Sequence, residues 1–569
     1  MAVEKWMLQT KKADFNRIGE RFSISPVTAR VIRNRDIVGE EAIRKYLSGT
    51  LADLYEPRLL KDIDKAVKII KEKIHEQKRI RIIGDYDIDG VCSTYILYKA
   101  LRRIGAIVDY EIPDRVRDGY GMNEMIINRA FESGVDAIVT CDNGIAAAAE
   151  ILKAKELGMT VIITDHHEVL KVDGREVLPP ADAVIDPKQE ACAYPNPEIC
   201  GCVVAWKFIK VLYEEMGIPE WEWEEMIEFA AIATVGDVMS LQDENRIIVK
   251  FGLKKIASTS NQGLRKLIEK NDLDLERLSA YHIGFVIGPC LNAGGRLQTA
   301  KLALSLLLTE NEEEADHMAE ELKELNDMRK AMTLNGTKEA EELVEGQYGK
   351  DKVLVVYLPK CHESLAGIIA GRLRERYQKP AFVITKSEQS AKGSGRSIEA
   401  YHMFNGLVGV RELLTKFGGH PMAAGFSLEE QNIDEFRKRL NENTELTEED
   451  FVKRIWIDVP MPLEYISENL VRELEVMEPF GQGNEKPQFA QKNLFIRSSR
   501  VMGKNRNVVR LSLVTDSGFA MEGIWFGDGD AFEKEREGRC HIDAVYYPDI
   551  NEYNGNKTLQ VVIKNYQLR

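Results

Sequence analysis

Ile80-Arg81-Ile82-Ile83-Gly84-Asp85-Tyr86-Asp87-Ile88-Asp89-Gly90 is an apolar run that stops abruptly at aspartates in alternate positions. The pattern returns twice: Ala137-Ile138-Val139-Thr140 runs into Cys141-Asp142-Asn143-Gly144, and Val161-Ile162-Ile163-Thr164 into Asp165-His166-His167-Glu168. Short continuous apolar runs read as strands buried on both faces, as in a parallel sheet. In an open parallel sheet the carboxyl ends of the strands line one crevice, so these acids and histidines should converge on a single site. Carboxylates crowded in one cleft repel unless a multivalent cation compensates them. A donor set rich in carboxylate, with one or two imidazoles, suits six-coordinate Mn²⁺ or Mg²⁺ better than tetrahedral zinc. Any one of these acids could instead cap the helix after its strand, but capping explains poorly why three strands end alike. A fourth segment, residues 226–238, is an apolar helix or strand stopped by Gly236, with Asp237 just beyond.

In this order, Asp85-Tyr86-Asp87-Ile88-Asp89-Gly90, Cys141-Asp142-Asn143-Gly144, Asp165-His166-His167 and Gly236-Asp237 resemble the four successive motifs of the DHH phosphoesterases. Phe417-Gly418-Gly419-His420-Pro421-Met422-Ala423-Ala424-Gly425 resembles the glycine-histidine motif of the DHH-associated domain. Within that superfamily the chain is most similar, over most of its length, to the RecJ family of single-strand-specific 5′→3′ exonucleases. The markers are Ile112-Pro113-Asp114-Arg115 leading into Asp118-Gly119-Tyr120-Gly121, then Leu291-Asn292-Ala293-Gly294-Gly295-Arg296-Leu297, and Gly393-Ser394-Gly395-Arg396-Ser397.

The resemblance implies two divalent ions, Mn²⁺ or Mg²⁺, about 3.5–4 Å apart and cooperating in phosphodiester hydrolysis. One would be bound by Asp85, Asp87 and Asp142, the other by Asp89, Asp142, His166 and Asp237. It further implies that Asp165 orients a ligand imidazole, that His167 and Arg296 lie near the scissile phosphate, and that His420 reaches it from a second domain. A terminal 5′ phosphate is best gripped by guanidinium forks and hydroxyls, and the resemblance makes Arg115, Ser394 and Arg396 the candidates for this. Tyr120 would stack on a base or block a duplex, a core tyrosine being the other reading, and His362 falls in a matching segment of the second domain.

Length and composition agree with a large soluble enzyme. At 569 residues, and roughly 150 per domain, three or four units are expected. No apolar stretch reaches membrane-spanning length, and Met1-Ala2-Val3-Glu4-Lys5-Trp6 lacks a signal peptide's core, so a cytoplasmic protein without a membrane partner is expected. Eight cysteines without a CxxC pair fit a reducing compartment, and Cys192, Cys200 and Cys202 read as free structural thiols. The net charge of −15 counts against a nucleic-acid partner unless positive charge is gathered locally. Acids are concentrated in residues 310–345 and 429–450, whereas Lys492, Arg497, Arg500, Lys504, Arg506 and Arg510 form a run uninterrupted by acids.

The expected architecture is α/β throughout the first 450 residues. Residues 1–55 form an amino-terminal extension packed on the first domain, and 56–310 a parallel-sheet DHH domain. Residues 311–348 make a long connecting helix, and 349–450 a second α/β unit, the DHH-associated domain. Short alternating strands at 454–459, 493–501, 507–514, 520–526, 541–547 and 558–566 suggest that 451–569 is a β-barrel of OB type, with Trp525, Tyr546 and Tyr547 as base-stacking candidates. The expected partner is single-stranded DNA, with a helicase and a single-strand-binding protein as candidate protein partners of a monomer. A phosphodiesterase of short RNA or cyclic dinucleotides, and a non-catalytic DNA-binding scaffold of the same ancestry, are the alternative readings.

Overall fold

The computed structural model describes residues 4–114, 121–387, 390–553 and 556–569. The three apolar runs are adjacent strands of a five-stranded, all-parallel sheet. Its order is Ile107–Glu111, Arg79–Gly84, Ala137–Cys141, Thr160–Thr164, Ala183–Ile185. Helices cover both faces, which is why the strands are continuously apolar. Ile80, Ile82 and Val139 join the core of helices Ile88–Arg103, Gly201–Met216 and Ile227–Gly236, while Ile83, Ile138 and Val161 join that of Glu124–Glu132 and Ala148–Glu156.

The register places the acids. Gly84 pairs with Cys141, Cys141 with Thr164, and Thr164 with Ile185, so four strands end level. The next residue of each is an aspartate: Asp85, Asp142, Asp165 and Asp186. The apolar stretch before Asp237 is the helix Ile227–Gly236, with Asp237 as its carboxyl cap.

A helix of 32 residues, Glu312–Leu343, begins at Asn311, whose side chain accepts from the Glu313 and Glu314 amides. It leads to a second sheet in the order Leu414–Gly419, Ala423–Leu428, Ala391–Arg396, Ala381–Lys386, Leu354–Tyr357, in which only the last two strands run parallel. The carboxyl-terminal strands close a barrel, because Phe489–Met502 pairs both with Val508–Val514 and with His541–Tyr553.

Four sequence expectations change. Residues 454–459 are not one barrel strand: Lys453–Ile457 pairs in parallel with Glu4–Leu8, and Val459–Pro460 alone joins the barrel. Between them the buried Asp458 takes an ion pair from Arg35 and hydrogen bonds from Asn34 (3.1 Å) and the Gln488 amide (3.0 Å), which ends the pairing. The amino-terminal extension shares its core mainly with the barrel, through Val31, Ile32, Ile43 and Tyr46. Arg246 of helix Asp243–Ile256 ties this unit to the parallel-sheet domain. Buried over the Tyr46 ring at 4.1 Å, it donates to the carbonyls of Tyr46 (3.0 Å), Met477 (2.7 Å) and Val476 (2.9 Å).

The remaining two changes concern the barrel surface. Tyr546 is a core residue whose hydroxyl donates to the Met461 carbonyl (2.5 Å), so it offers no face for stacking, while the partly exposed Trp525 packs edge-on against Tyr566. Tyr547 is half-buried beneath Lys486, 3.8 Å from its ring. The basic run is also shorter than it reads, since Arg506 pairs with Asp530 and Arg510 with Glu522, acids brought in by neighbouring elements.

Candidate metal centre

The first motif makes a tight turn between strand and helix. Asp87 caps helix Ile88–Arg103, accepting from the amides of Asp89 (3.0 Å) and Gly90 (3.2 Å). Gly90 is required for this turn: a Cβ there would lie 2.4 Å from the Asp85 carbonyl oxygen. Asp89, buried one residue into the helix, accepts from the amides of Gly201 (2.7 Å) and Cys202 (2.8 Å) at the start of another helix, Gly201–Met216. Cys200 and Cys202 are buried free thiols beside this contact, and Cys192 is partly exposed.

Asp142 occupies the middle. It follows strand Ala137–Cys141 with a left-handed backbone (φ 59°), a conformation that costs a non-glycine residue energy and is retained where the surroundings impose it. Three sets of donor atoms, each set mutually within 4.8 Å, gather around it: Asp85, Asp87 and Asp142; Asp89, His166 and Asp237; and Asp142, His166 and His167. His166 Nε2 is 3.1 Å from Asp142 Oδ1, 3.5 Å from Asp89 Oδ2 and 3.7 Å from Asp237 Oδ2.

These electrostatics call for cations. Burial, then the charges of Asp89, Asp87 and Asp85, pushes the Asp142 carboxyl well above the usual range. Burial and the charges of Asp89 and Asp87 push Asp237 to about 8, and burial likewise raises Asp89. These five carboxylates cannot all ionise together unless positive charge is added. Burial meanwhile holds His166 below its ordinary value, hence as the neutral imidazole a metal requires. The donor set therefore fits two hard divalent ions sharing Asp142.

Asp165 serves the other histidine. It was expected to orient a ligand imidazole, but it receives His167 Nδ1 at 2.8 Å, along with the amides of Ile145 (2.9 Å) and His166 (2.8 Å). His166 Nδ1, in contrast, is buried without a hydrogen-bond partner among the described residues. Burial opposes charge on His167, but Asp165 outweighs it and raises His167 to about 9; the same pairing holds Asp165 below its ordinary value. His167 Nδ1 lies 3.9 Å from Asp142 Oδ1.

A cleft of about 1040 Å³ opens between the two sheet domains, lined by Tyr86, Arg296, Arg372, Lys392, Ser394 and Arg396. Arg296 spans the domains, donating to the Ser364 carbonyl at 3.1 Å. Ser394 and Arg396 lie on strand Ala391–Arg396, with Arg396 Nη1 3.4 Å from Ser394 Oγ. His420 is exposed at the turn between Leu414–Gly419 and Ala423–Leu428, two residues from Gly418 on the cleft wall. It belongs to none of the donor groups. His362 is a cap, with Nδ1 2.7 Å from Ser364 Oγ. Arg115 and Tyr120 lie outside the described residues.

Two participants escape a reading of the sequence. Asp186 is fully buried just beyond the edge strand Ala183–Ile185, and burial with the Asp165 charge raises it to about 8; its signal, Ala183-Val184-Ile185-Asp186, is the opening pattern in a shorter form. Gly367 opens helix Ala366–Tyr377 against the cleft, and a Cβ there would lie 2.9 Å from both Arg396 Nη2 and Ser394 Oγ. That proximity links segments distant in the chain and leaves no local mark.

The chain matches three family models: the DHH family N-terminal domain over residues 79–234, the DHHA1 domain over 350–445 and the RecJ OB domain over 457–565. It is 37% identical to the single-stranded-DNA-specific exonuclease RecJ of Bacillus subtilis, over 99% of this chain and 70% of that protein. Against the enzyme of the same name from Escherichia coli it is 32% identical over 95% of this chain and 96% of that one. The crystal structure of Thermus thermophilus RecJ in complex with Mn²⁺ superposes with a TM-score of 0.85 at 27% identity, covering 99% of this chain and 79% of that one. With the four level strand ends, the acidic cluster and all three domain models in one order, this chain belongs to the RecJ family of DHH phosphoesterases.

Proposed function

We propose that this chain is a metal-dependent exonuclease that hydrolyses single-stranded DNA from its 5′ end, in DNA repair and recombination. The observation that carries this reading is the clustering of six carboxylate and imidazole donors around Asp142, opening beside a cleft with cationic walls. The relatives' names supply the substrate class, and the Thermus complex supplies the metal class.

In this reading Asp85, Asp87 and Asp142 hold one ion, and Asp89, Asp142, His166 and Asp237 the other. When bound, the ions acidify a water and offset charge on the scissile phosphate. The chain's own residues do the positioning. The Gly201 and Cys202 amides aim Asp89, and Asp165 keeps His167 protonated as a donor to the phosphate. Arg296 and His420 approach the same phosphate from either side of the cleft, while Ser394 and Arg396, with Arg115, receive the 5′-terminal phosphate. Tyr120 stands at the entrance. The enzyme acts as a monomer in the cytoplasm, on strands supplied by a helicase and contested by single-strand-binding protein.

Purified protein with Mn²⁺ and end-labelled single-stranded DNA, duplex DNA, RNA and cyclic dinucleotides tests the reading. Mononucleotides should leave the 5′ end of the single-stranded DNA, and Asp142→Ala should abolish cleavage without unfolding the protein. Release from the 3′ end, or preference for a cyclic dinucleotide, would overturn it.

A further inference from the structure

The helical segment Ala280–Leu297, which carries Arg296 in its last turn, has two aromatic side chains in its first turns directed away from the core. Tyr281 is 62% and Phe285 67% exposed, yet their rings are stacked, centroids 4.8 Å and planes 28° apart. Isolated exposed apolar residues are ordinary; two stacked together in water need a reason. Between them Gly284 faces the core, where a Cβ would meet Val235 Cγ1 at 3.5 Å. Val235 lies two residues before the proposed ligand Asp237. Val238, the residue after it, is 65% exposed in the left-handed region (φ 59°), which a β-branched residue rarely adopts. Apolar surface thus borders the metal cluster at Asp237.

This border leads towards the barrel. The Leu241 amide donates to the Gln482 carbonyl (2.8 Å) and Gln242 Nε2 to the Gly483 carbonyl (2.7 Å), so the segment after Asp237 abuts the loop that enters the barrel. A few residues farther along that loop Lys486 lies over Tyr547 at 3.8 Å, with Lys564 at 5.1 Å. A strand held by its 5′ phosphate in the cleft, cut at the cluster and bound farther on by the barrel must pass the Asp237–Leu241 segment.

Resting on the exonuclease reading, we infer that Tyr281 and Phe285 form a stacking platform for a nucleobase on the 3′ side of the scissile phosphate. Every base has a π face, so the platform holds any sequence. Paired bases are stacked on their own neighbours, so a duplex cannot use it, and the platform contributes to the preference for single strands.

The test compares the native protein with Tyr281→Ala/Phe285→Ala on 5′-phosphorylated strands carrying one abasic site at successive positions, reading kcat/KM in Mn²⁺. With the native protein an abasic site at one or two positions should lower cleavage roughly tenfold. The double variant should be roughly ten- to a hundredfold weaker on intact strands, should lose that positional dip, and should melt like the native protein. Phe285→Leu keeps apolar volume without a π face and should reproduce part of the loss, a control against misfolding. Native cleavage with an unchanged profile in both variants would overturn the platform alone. A native protein that leaves single-stranded DNA uncut would overturn the exonuclease reading, and this inference with it.

Discussion

In the proposed reading, Arg396 supplies charge for a strand end and Gly367 leaves room for it. If Arg396 grips the terminal phosphate, Arg396→Ala should lower cleavage of 5′-phosphorylated strands much more than of 5′-hydroxyl strands. A lost charge-assisted hydrogen bond costs about 1.5–3 kcal/mol, roughly ten- to a hundredfold. Equal loss on both substrates would reassign Arg396 to the chain backbone or the fold. Gly367→Ala keeps every charge but places a methyl only 2.9 Å from Arg396 Nη2 and Ser394 Oγ. These are flexible side-chain ends, so its effect should run in the same direction and be smaller. The aspartates and histidines at the strand ends were legible in the sequence because their signal is local, an apolar run broken by charge. Asp186 has the same signal on a strand of only three residues. Gly367 has none, its meaning being a distance to another segment.

Helix Ile227–Gly236 connects two acids of different purpose, the buried Glu228 and the partly exposed Asp237. Asp237 at its end faces the metal cluster; Glu228 at its start accepts from Thr259 Oγ1 (2.9 Å), and its Oε2 is buried without a partner among the described residues. Burial raises Glu228 to about 7. Because its folded pKa lies above the unfolded value of 4.5, its contribution to stability is present in full below pH 4.5 and is lost as pH rises through 7. The loss amounts to roughly 3 kcal/mol. Glu228→Gln removes the titration, so the variant should melt above the native protein at pH 8, with the gap closing as pH falls towards 4.5. A gap independent of pH, or one widening towards acid, would refute this. Strands and helices were readable from their periodicity, but their neighbours were not. Arg506 and Arg510 look unopposed along the chain, and only folding brings Asp530 and Glu522 to them. Substituting Arg497, Arg500 and Lys504 by alanine should therefore flatten the salt dependence of strand binding by roughly 0.7 per lost phosphate contact, whereas Arg506→Ala and Arg510→Ala should leave the slope nearly unchanged.

At the scale of the whole molecule, the order of domains was legible and the placing of the first 55 residues was not. An amphipathic face declares that it will be buried but not against which core, and Val31, Ile32, Ile43 and Tyr46 chose the barrel. Removing everything beyond residue 451 should consequently give an aggregating fragment, visible by size-exclusion chromatography, and not a smaller working nuclease. Arg246 carries the matter further. Its guanidinium is buried among carbonyls of the extension and of the segment leading into the barrel, and Gln242 and Leu241 hold the adjoining loop. Barrel and metal cluster are thereby held at a set spacing, which would act as a length gauge for a strand bound at both. A strand long enough to touch both ends of the gauge is held twice. One that has been trimmed past it is held once, so digestion should stall sharply at a characteristic residual length, leaving a narrow band of short oligonucleotides where a loosely tethered barrel would leave a smear.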